Sequence, residues 1–362
     1  MNNKVRFVLT YLGALALMTT FFMGCGAGVS LRPAEAEREK SIPEDVLMVG
    51  FSQLGAESDW RDANTKSMSK TFVEENGYEL IFDNAQQNQQ NQITAIRTFI
   101  QQEVDYIVVA PVTETGWNTV LEEAKDAKIP VIVVDRQMDL NDESLYTCWV
   151  GSDFFLEGKK AVTWLKAFTE AKGIKASDLH IVGIQGTLGS TAQIGRTKAL
   201  EEAARTYGWD LMAEETGEYT QTKGREVMEQ MLRTYDNINV VYCENDNEAI
   251  GAIEAIEAAG KTCGSDILAG QVMVISFDGV KPLAMEYCLE GKISCIAECN
   301  PLHGPRVAAI IEQMEKQENP QKLWYVEESI YSADHTITTL MVDDTEYPIT
   351  MITQEFLYDR AY

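Results

Sequence analysis

The feature that most limits what this chain can fold into is a rhythm in which short apolar, β-branched runs alternate with longer amphipathic segments. Residues 46–51, 78–82, 106–110 and 131–134 are such runs, and helical patterns over 60–75, 91–102 and 117–127 lie between them. A strand that is apolar throughout, rather than at every second residue, must be covered on both faces, and interleaved helices supply that cover. The rhythm restarts at 180–184 and continues through 240–243, 273–277 and 293–297, with helical patterns near 190–206, 222–234 and 246–259. The expected fold class is α/β, with two doubly wound parallel-sheet lobes. About 320 residues carry this pattern, more than a single core usually organises, which agrees with two lobes.

In open parallel sheets, the loops at the carboxyl ends of the strands line a common crevice, and ligands bind there. Polar clusters follow nearly every apolar run. Ser52, Glu57, Trp60 and Arg61 lie in or just beyond the first loop, and Asp135 and Arg136 follow the fourth run. In the second half, a loop from Gly186 to Thr191 leads to Arg196, while Asn245, Asp278 and Asn300 follow successive runs. Carboxylates and amides accept from adjacent hydroxyls, a guanidinium donates in a fixed fork, and an aromatic face covers an apolar C–H patch. Those are the parts that a sugar requires. Each residue also has a plainer reading. Asp135 with Arg136 forms a solvated pair, Asn245 and Asp278 are turn residues, Trp60 is buried in its helix, and Arg61 and Arg196 are surface charges. Their recurrence at successive strand ends is what favours a site.

Charge and composition remove other classes. The formal net charge is -26, and a surface that acidic repels phosphate backbones, so nucleic acid is not expected as a partner. A neutral ligand suits it better than an anion. The Gly186 to Thr191 loop lacks the Gly-Lys-Ser/Thr ending of a phosphate-binding loop, and no G-x-G-x-x-G occurs. Histidines stand only at 180, 303 and 335, too scattered for a zinc site, so neither metal nor cofactor is expected. Cys148, Cys243, Cys263, Cys288, Cys295 and Cys299 form no C-x-x-C pair, and their pairing stays open between buried thiols and one or two disulfides.

The N-terminal stretch reads as a targeting segment. Lys4 and Arg6 precede an uncharged apolar run from Phe7 to Met23, which fits the charged and apolar regions of a secretory signal. Gly24 and Cys25 then place a small residue before a cysteine, resembling the lipobox of bacterial lipoproteins. A signal peptide over 1–24, a lipidated Cys25 and a flexible tether over 25–44 are expected, with the protein held to the outer face of the cytoplasmic membrane by its acyl chains. Loss of the first 24 residues removes two cations and no acid, taking the charge from -26 to -28.

At the strand-end residues the chain resembles the sugar-binding proteins of bacterial ABC importers, the ribose-binding-like group, and within it looks like the galactofuranose-binding branch. The resemblance spans roughly residues 46–335. It is carried by Val49, Gly50, Phe51, Ser52 and Gln53 with Glu57, Ser58, Trp60 and Arg61, then by Gln92, Ile93 and Arg97, by Ala110, Pro111 and Val112, and by Asp135 and Arg136. It implies that Asp135 and Arg136 bind ring hydroxyls and that Trp60 and Arg61 contribute from the first loop, within the block that also holds Ser52 and Glu57. Arg196, Asn245 and Asp278 would complete the site from the second lobe, and Asn300 matches an amide residue before the last crossing between lobes. The pattern departs from the branch at Gly195, where the branch has an acidic residue, and at Glu244 and Asn247.

From the resemblance follow a first lobe over 45–149 and 300–324, a second over 150–299 and 325–362, and three hinge crossings. A monosaccharide of the galactofuranose or galactose type is the expected ligand, with delivery by a monomeric protein to an ABC permease and, indirectly, its ATPase. Presentation of the closed form to a chemoreceptor or sensor kinase is the alternative use. The core of a transcriptional repressor shares this fold but needs an N-terminal helix-turn-helix, for which residues 1–44 offer a signal and tether instead. No enzyme activity is expected, because Asp135 and Asp278 are each expected beside an arginine or amide that keeps them ionised, unlike the general acid of a glycosidase. The stretch after Thr338 exceeds what the resemblance covers and reads as an added hairpin or strand.

Overall fold

A computed structural model describes residues 46–280 and 282–362. The expected signal peptide, tether and lipidated Cys25 therefore lie outside the described residues. Among the described residues no helix is long and apolar enough to cross a membrane.

The first lobe is built from β1 (Leu47–Gln53), α1 (Asp59–Thr71), β2 (Tyr78–Asn84), α2 (Gln89–Gln101), β3 (Tyr106–Val109), α3 (Asn118–Asp126), β4 (Val131–Val134) and β5 (Cys148–Gly151). The second lobe follows with α4 (Phe154–Ala171), β6 (His180–Gln185), α5 (Thr191–Tyr207), β7 (Asp210–Thr216), α6 (Gln221–Thr234), β8 (Val240–Cys243), α7 (Asp246–Ala258), β9 (Met273–Asp278), α8 (Leu283–Leu289) and β10 (Cys295–Glu298). The chain returns to the first lobe for α9 (His303–Glu315) and β11 (Leu323–Tyr325). It then crosses again for β12 (Ile330–Ser332), β13 (Thr339–Val342), β14 (Thr345–Met351) and α10 (Gln354–Asp359).

The first sheet has the order β11-β5-β4-β3-β1-β2 and is parallel throughout. The second has the order β13-β14-β12-β10-β9-β8-β6-β7. There β10, β9, β8, β6 and β7 are parallel, but β12 runs antiparallel to β10, and β13 and β14 form an antiparallel hairpin on that edge. The stretch after Thr338 is thus a hairpin plus a short helix added to the second lobe. The crossings fall at 152–153, 299–302 and 326–329. Val150, Gly151 and Tyr325 consequently belong to the first sheet, because β11 pairs with β5 through Tyr325 and Gly151.

Every residue of β3, β4, β8, β9 and β10 is buried, as continuous apolar runs require. On the first sheet, Ile96 and Phe99 of α2 cover one face, and Met68 of α1 with Val307, Ile310 and Ile311 of α9 cover the other. On the second, Trp164, Phe168 and Leu200 cover one face, and Met228, Ile250, Ile253 and Met285 the other. Each such side chain contributes about 1.5–3 kcal/mol on burial, so both sheets are rigid platforms for the loops at their ends. The six cysteines of the folded body are free thiols, all buried except the half-buried Cys263.

Candidate functional site

Helix starts place the functional side chains. Ser58 Oγ accepts from Arg61 N at 3.2 Å to cap α1, Ser190 Oγ accepts from Gln193 N at 3.3 Å to cap α5, and Asn245 Oδ1 accepts from Glu248 N at 2.8 Å to cap α7. All three caps follow strands at their carboxyl ends, and Ser58, Asn245 and Ala192 in the first turn of α5 line one small cavity of about 30 Å³ between the lobes.

The first lobe lines this cavity with Glu57, Ser58, Trp60, Arg61, Asp135 and Arg136. Arg61 is 3% exposed and so is no surface charge. Its Nη2 donates to Asp135 Oδ2 at 2.6 Å, its Nε to Glu57 Oε1 at 3.0 Å and its Nη1 to Gln53 Oε1 at 3.3 Å. Burial opposes its charge, but Asp135 and Glu57 outweigh that and hold the guanidinium firmly protonated. Burial also acts against the Asp135 carboxylate, yet Arg61 and Arg136 bring its pKa below the usual carboxylate range. Glu57 Oε2 is buried without a hydrogen-bond partner.

The second lobe supplies Phe154, Ala192, Arg196, Tyr219, Asn245 and Asp278, and Cys299 joins from the second crossing. Arg196 is 2% exposed. Its Nε donates to Glu157 Oε2 at 2.8 Å, its Nη1 to the Glu244 carbonyl, and its Nη2 reaches Asp278 Oδ1 only at 3.5 Å. Asp278 departs from the expectation that an adjacent arginine keeps it ionised. Burial drives its pKa well above the usual value, and Asp246, Glu157 and Asp135 add to this against the pull of Arg196. Asn245 lines the cavity, but both ends of its amide are already engaged, since Nδ2 donates to the Tyr219 carbonyl at 3.1 Å.

Two expected residues lie elsewhere. Ser52 is fully buried within β1, which extends past the expected strand end, and its Oγ has no partner. Asn300 turns away on the second crossing, where its Oδ1 accepts from Leu302 N at 3.0 Å and Arg306 Nη1 at 3.3 Å. Its neighbour Cys299 faces the cavity instead. Gln92 and Arg97 prove to be scaffold. The Gln92 amide donates to Ala110 O and accepts from Val112 N, both at 2.8 Å, while Arg97 pairs with Glu123 in the open.

Phe154 and Tyr219 were not foreseen. Tyr219 follows β7, an acidic, half-exposed edge strand that breaks the apolar rhythm. Its φ of 61° is left-handed, held by Glu248 Oε1 accepting from its N–H at 2.8 Å and by the hydroxyl's bond with Ser190 at 3.2 Å. A Cβ on Gly186 would lie 1.9 Å from the Tyr219 ring, so only glycine fits there. Gly195 has a parallel reason: a Cβ would lie 2.8 Å from the Phe154 backbone, so an acidic side chain would force α4 and α5 apart.

The lobes are closed on one another. Trp60 Nε1 donates to Cys299 O at 2.7 Å, Asp59 N to Asn247 Oδ1 at 3.0 Å, and Gln137 N to Thr191 Oγ1 at 3.4 Å. Arg136 lies 5.9 Å from the Tyr219 ring centre across the cleft. Trp60 therefore satisfies both sequence readings, being 5% exposed and part of the cavity wall. Behind the cavity, ligand atoms of Glu157, Cys299 and Glu328 lie within 4.8 Å of one another. Burial raises all three pKa values.

Two parallel-sheet lobes joined by three crossings and closed over a buried polar cavity define a two-lobed solute-binding protein. Comparison with known proteins agrees. The periplasmic binding protein domain matches residues 49–309. The chain is 39% identical over 293 residues to the galactofuranose-binding protein YtfQ of Escherichia coli (strain K12), covering 80% of this chain and 88% of that protein. A solved structure from Mycobacterium smegmatis in complex with β-D-fucofuranose matches with a TM-score of 0.73 at 37% identity, over 79% of this chain and 91% of that one. The periplasmic binding protein component of the arabinose ABC transporter from Shewanella sp. ANA-3, bound to α- and β-L-arabinofuranose, matches with a TM-score of 0.72 at 37% identity, over 78% and 91%. This chain belongs to the periplasmic binding protein family, whose relatives here are binding proteins and not enzymes.

Proposed function

We propose that this protein binds a furanose monosaccharide of the galactofuranose type between its lobes and delivers it to an ABC permease. The observation that carries the reading is the pairing of an ionised Asp135 and forked Arg61 and Arg136 on one wall with Arg196, Asp278 and the rings of Phe154 and Tyr219 on the other. Such a cavity offers acceptors and donors to ring hydroxyls and apolar faces to the C–H groups between them. Of the similar proteins named above, one is called galactofuranose-binding and two hold a bound furanose, which supports the ring form. An open form admits the sugar, and contacts from both lobes favour closure. Calorimetry against galactofuranose, galactose, arabinose and ribose tests this, with tightest binding expected for galactofuranose. No heat with any of the four would reject the reading.

Export and anchoring through Cys25 are part of the same proposal, with the permease and its ATPase as partners and the protein acting as a monomer. The signal-like run and Gly24-Cys25 junction support the anchor. Mass spectrometry of the mature N-terminus should find a diacylglyceryl group on Cys25, and an intact Met1 terminus would reject it.

A further inference from the structure

The stretch after β14 reaches the back of the cavity. Past α10, the half-buried Arg360 has a side chain only 6% exposed, and its guanidinium is shared among three groups. Nε and Nη2 donate to the Gly279 carbonyl at 2.9 and 2.6 Å, Nη1 to the Tyr331 hydroxyl at 2.9 Å, and Nη2 also to Glu298 Oε1 at 3.3 Å. Gly279 directly follows Asp278, and Glu298 pairs in register with Asp278 on the neighbouring strand. One side chain therefore ties together the ends of β9 and β10.

The turn it grips is a strained one. Asp278 has φ 91° and Gly279 φ 78°, two consecutive left-handed residues, the first of them not a glycine. Such a turn persists only when its surroundings over-determine it. On one side, Asp246 Oδ2 accepts from the N–H groups of Gly279 and Val280 at 2.8 and 2.7 Å. Arg360 holds the carbonyl on the other side. Glu298 in turn accepts from Ser329 N at 2.7 Å, which links this end of the lobe to the third crossing.

Tyr362 completes the arrangement. Its hydroxyl donates to Glu298 Oε1, and its ring centre lies 4.0 Å from the Arg360 guanidinium. The ring also packs against the cavity-wall cluster that includes Trp60, Phe154, Tyr219 and Cys299. Tyr362 thus backs the aromatic wall while Arg360 fixes the carboxylate beside it.

We propose that Arg360 and Tyr362 are positioning residues for ligand binding, locking the Asp278–Gly279 turn so that the Asp278 carboxyl faces the cavity. The inference rests on the reading of that cavity as the ligand site. It predicts a loss of affinity that outruns any loss of fold. The test compares wild type with R360Q, R360K, Y362A and Y362F in three measurements: thermal unfolding, calorimetry with galactofuranose, and amide hydrogen exchange without ligand. R360Q should weaken binding about tenfold or more and speed exchange at the Gly279 and Val280 amides. R360K should fall between, because one ammonium cannot span Gly279, Tyr331 and Glu298 as the fork does. Y362F should lose less affinity than Y362A, since it keeps the ring. Wild-type affinity and wild-type exchange in R360Q would overturn the proposal. Should wild type bind none of the sugars, the sugar reading fails while the exchange rates still decide the latch. Should R360Q fail to fold, R360K and Y362A carry the same comparison.

Discussion

In the first lobe, the two acids at the cavity face two arginines; in the second, Arg196 lines the cavity amid Glu157, Glu244, Asp246, Glu248 and Asp278, all of them buried, with Arg360 behind Asp246. The first arrangement is a compensated ion cluster, in which Asp135 stays ionised because Arg61 is 2.6 Å away. In the second, burial leads the causes and raises every one of the five acids. Glu244 is pushed to about 8 and Asp246 to about 7, even though backbone N–H groups of Gly186, Gly279 and Val280 favour their charged forms. The wall that keeps its charge is thus set by ion pairing, and the wall that holds protons by desolvation. Substitutions should therefore damage the two walls in different ways.

The largest effect is expected at Asp135. D135A leaves Arg61 buried with Glu57 alone, and breaking a buried pair in this way costs about 3–5 kcal/mol. Urea unfolding should show that loss, and calorimetry should find no sugar affinity in the folded fraction. Affinity close to wild type would show that the ion cluster is structural only.

Next comes the matched removal of one arginine from each wall. R61M leaves Asp135 with Arg136 still holding its charged form, whereas R196M leaves Glu157 and Asp278, whose raised pKa values let them take up protons instead. At pH 6, R196M should therefore destabilise less than R61M, and its cost should grow toward pH 8. Equal costs at both pH values would break the contrast between the walls.

The architecture was legible in the chain because a continuous apolar run such as 131–134 has one stable environment, a doubly covered parallel strand. Asp135, Arg136, Arg61 and Arg196 were legible as well, since they stand at fixed offsets from those runs. The missing pieces share a physical cause. Strand β7 sits at a sheet edge and carries acids, so it lacks the buried signature, and Tyr219 at its end went unseen with it. Phe154 begins a helix whose hydrophobic residues mostly serve the core, which hides the one that faces the cavity. Ser52 lies inside β1, which runs on to Gln53, and Asn300 lies in an irregular crossing where no periodicity fixes the direction of a side chain. The state of Asp278 depends on Asp246 and Glu157, whose proximity only the folded chain creates.

A gentler probe of the second wall is E244Q. Glu244 accepts from Gly186 N at 2.8 Å and from the Thr197 hydroxyl, and a glutamine keeps the acceptor for Gly186 while removing the titrating group. Because the folded-state pKa is raised to about 8 from 4.5, the folded protein holds a proton that the unfolded chain loses at lower pH. That contribution to stability is fully present below about pH 4.5 and is lost as pH rises through about 8. Thermal unfolding across this window should show wild type declining more steeply than E244Q, whose profile should be flatter. A steeper E244Q profile would mean that Glu244 is ionised in the folded state.

The smallest effect is expected where the walls meet away from the ions. Asn247 on the second lobe accepts from Asp59 N at 3.0 Å, and its Nδ2 lies 3.4 Å from Asp59 Oδ2, so it clasps the lobes without touching either core. These contacts exist only when the lobes are closed, so N247A removes stabilisation from the closed form and leaves each lobe's own packing intact. A hydrogen bond of this kind contributes about 1 kcal/mol, which corresponds to roughly a fivefold weaker sugar affinity. The melting temperature should hardly move, and small-angle scattering should show the unliganded protein more extended than wild type. An unchanged affinity together with unchanged dimensions would mean that the closed form is held by the ion pairs and aromatic wall alone, which would place the whole closing force in the comparison drawn above.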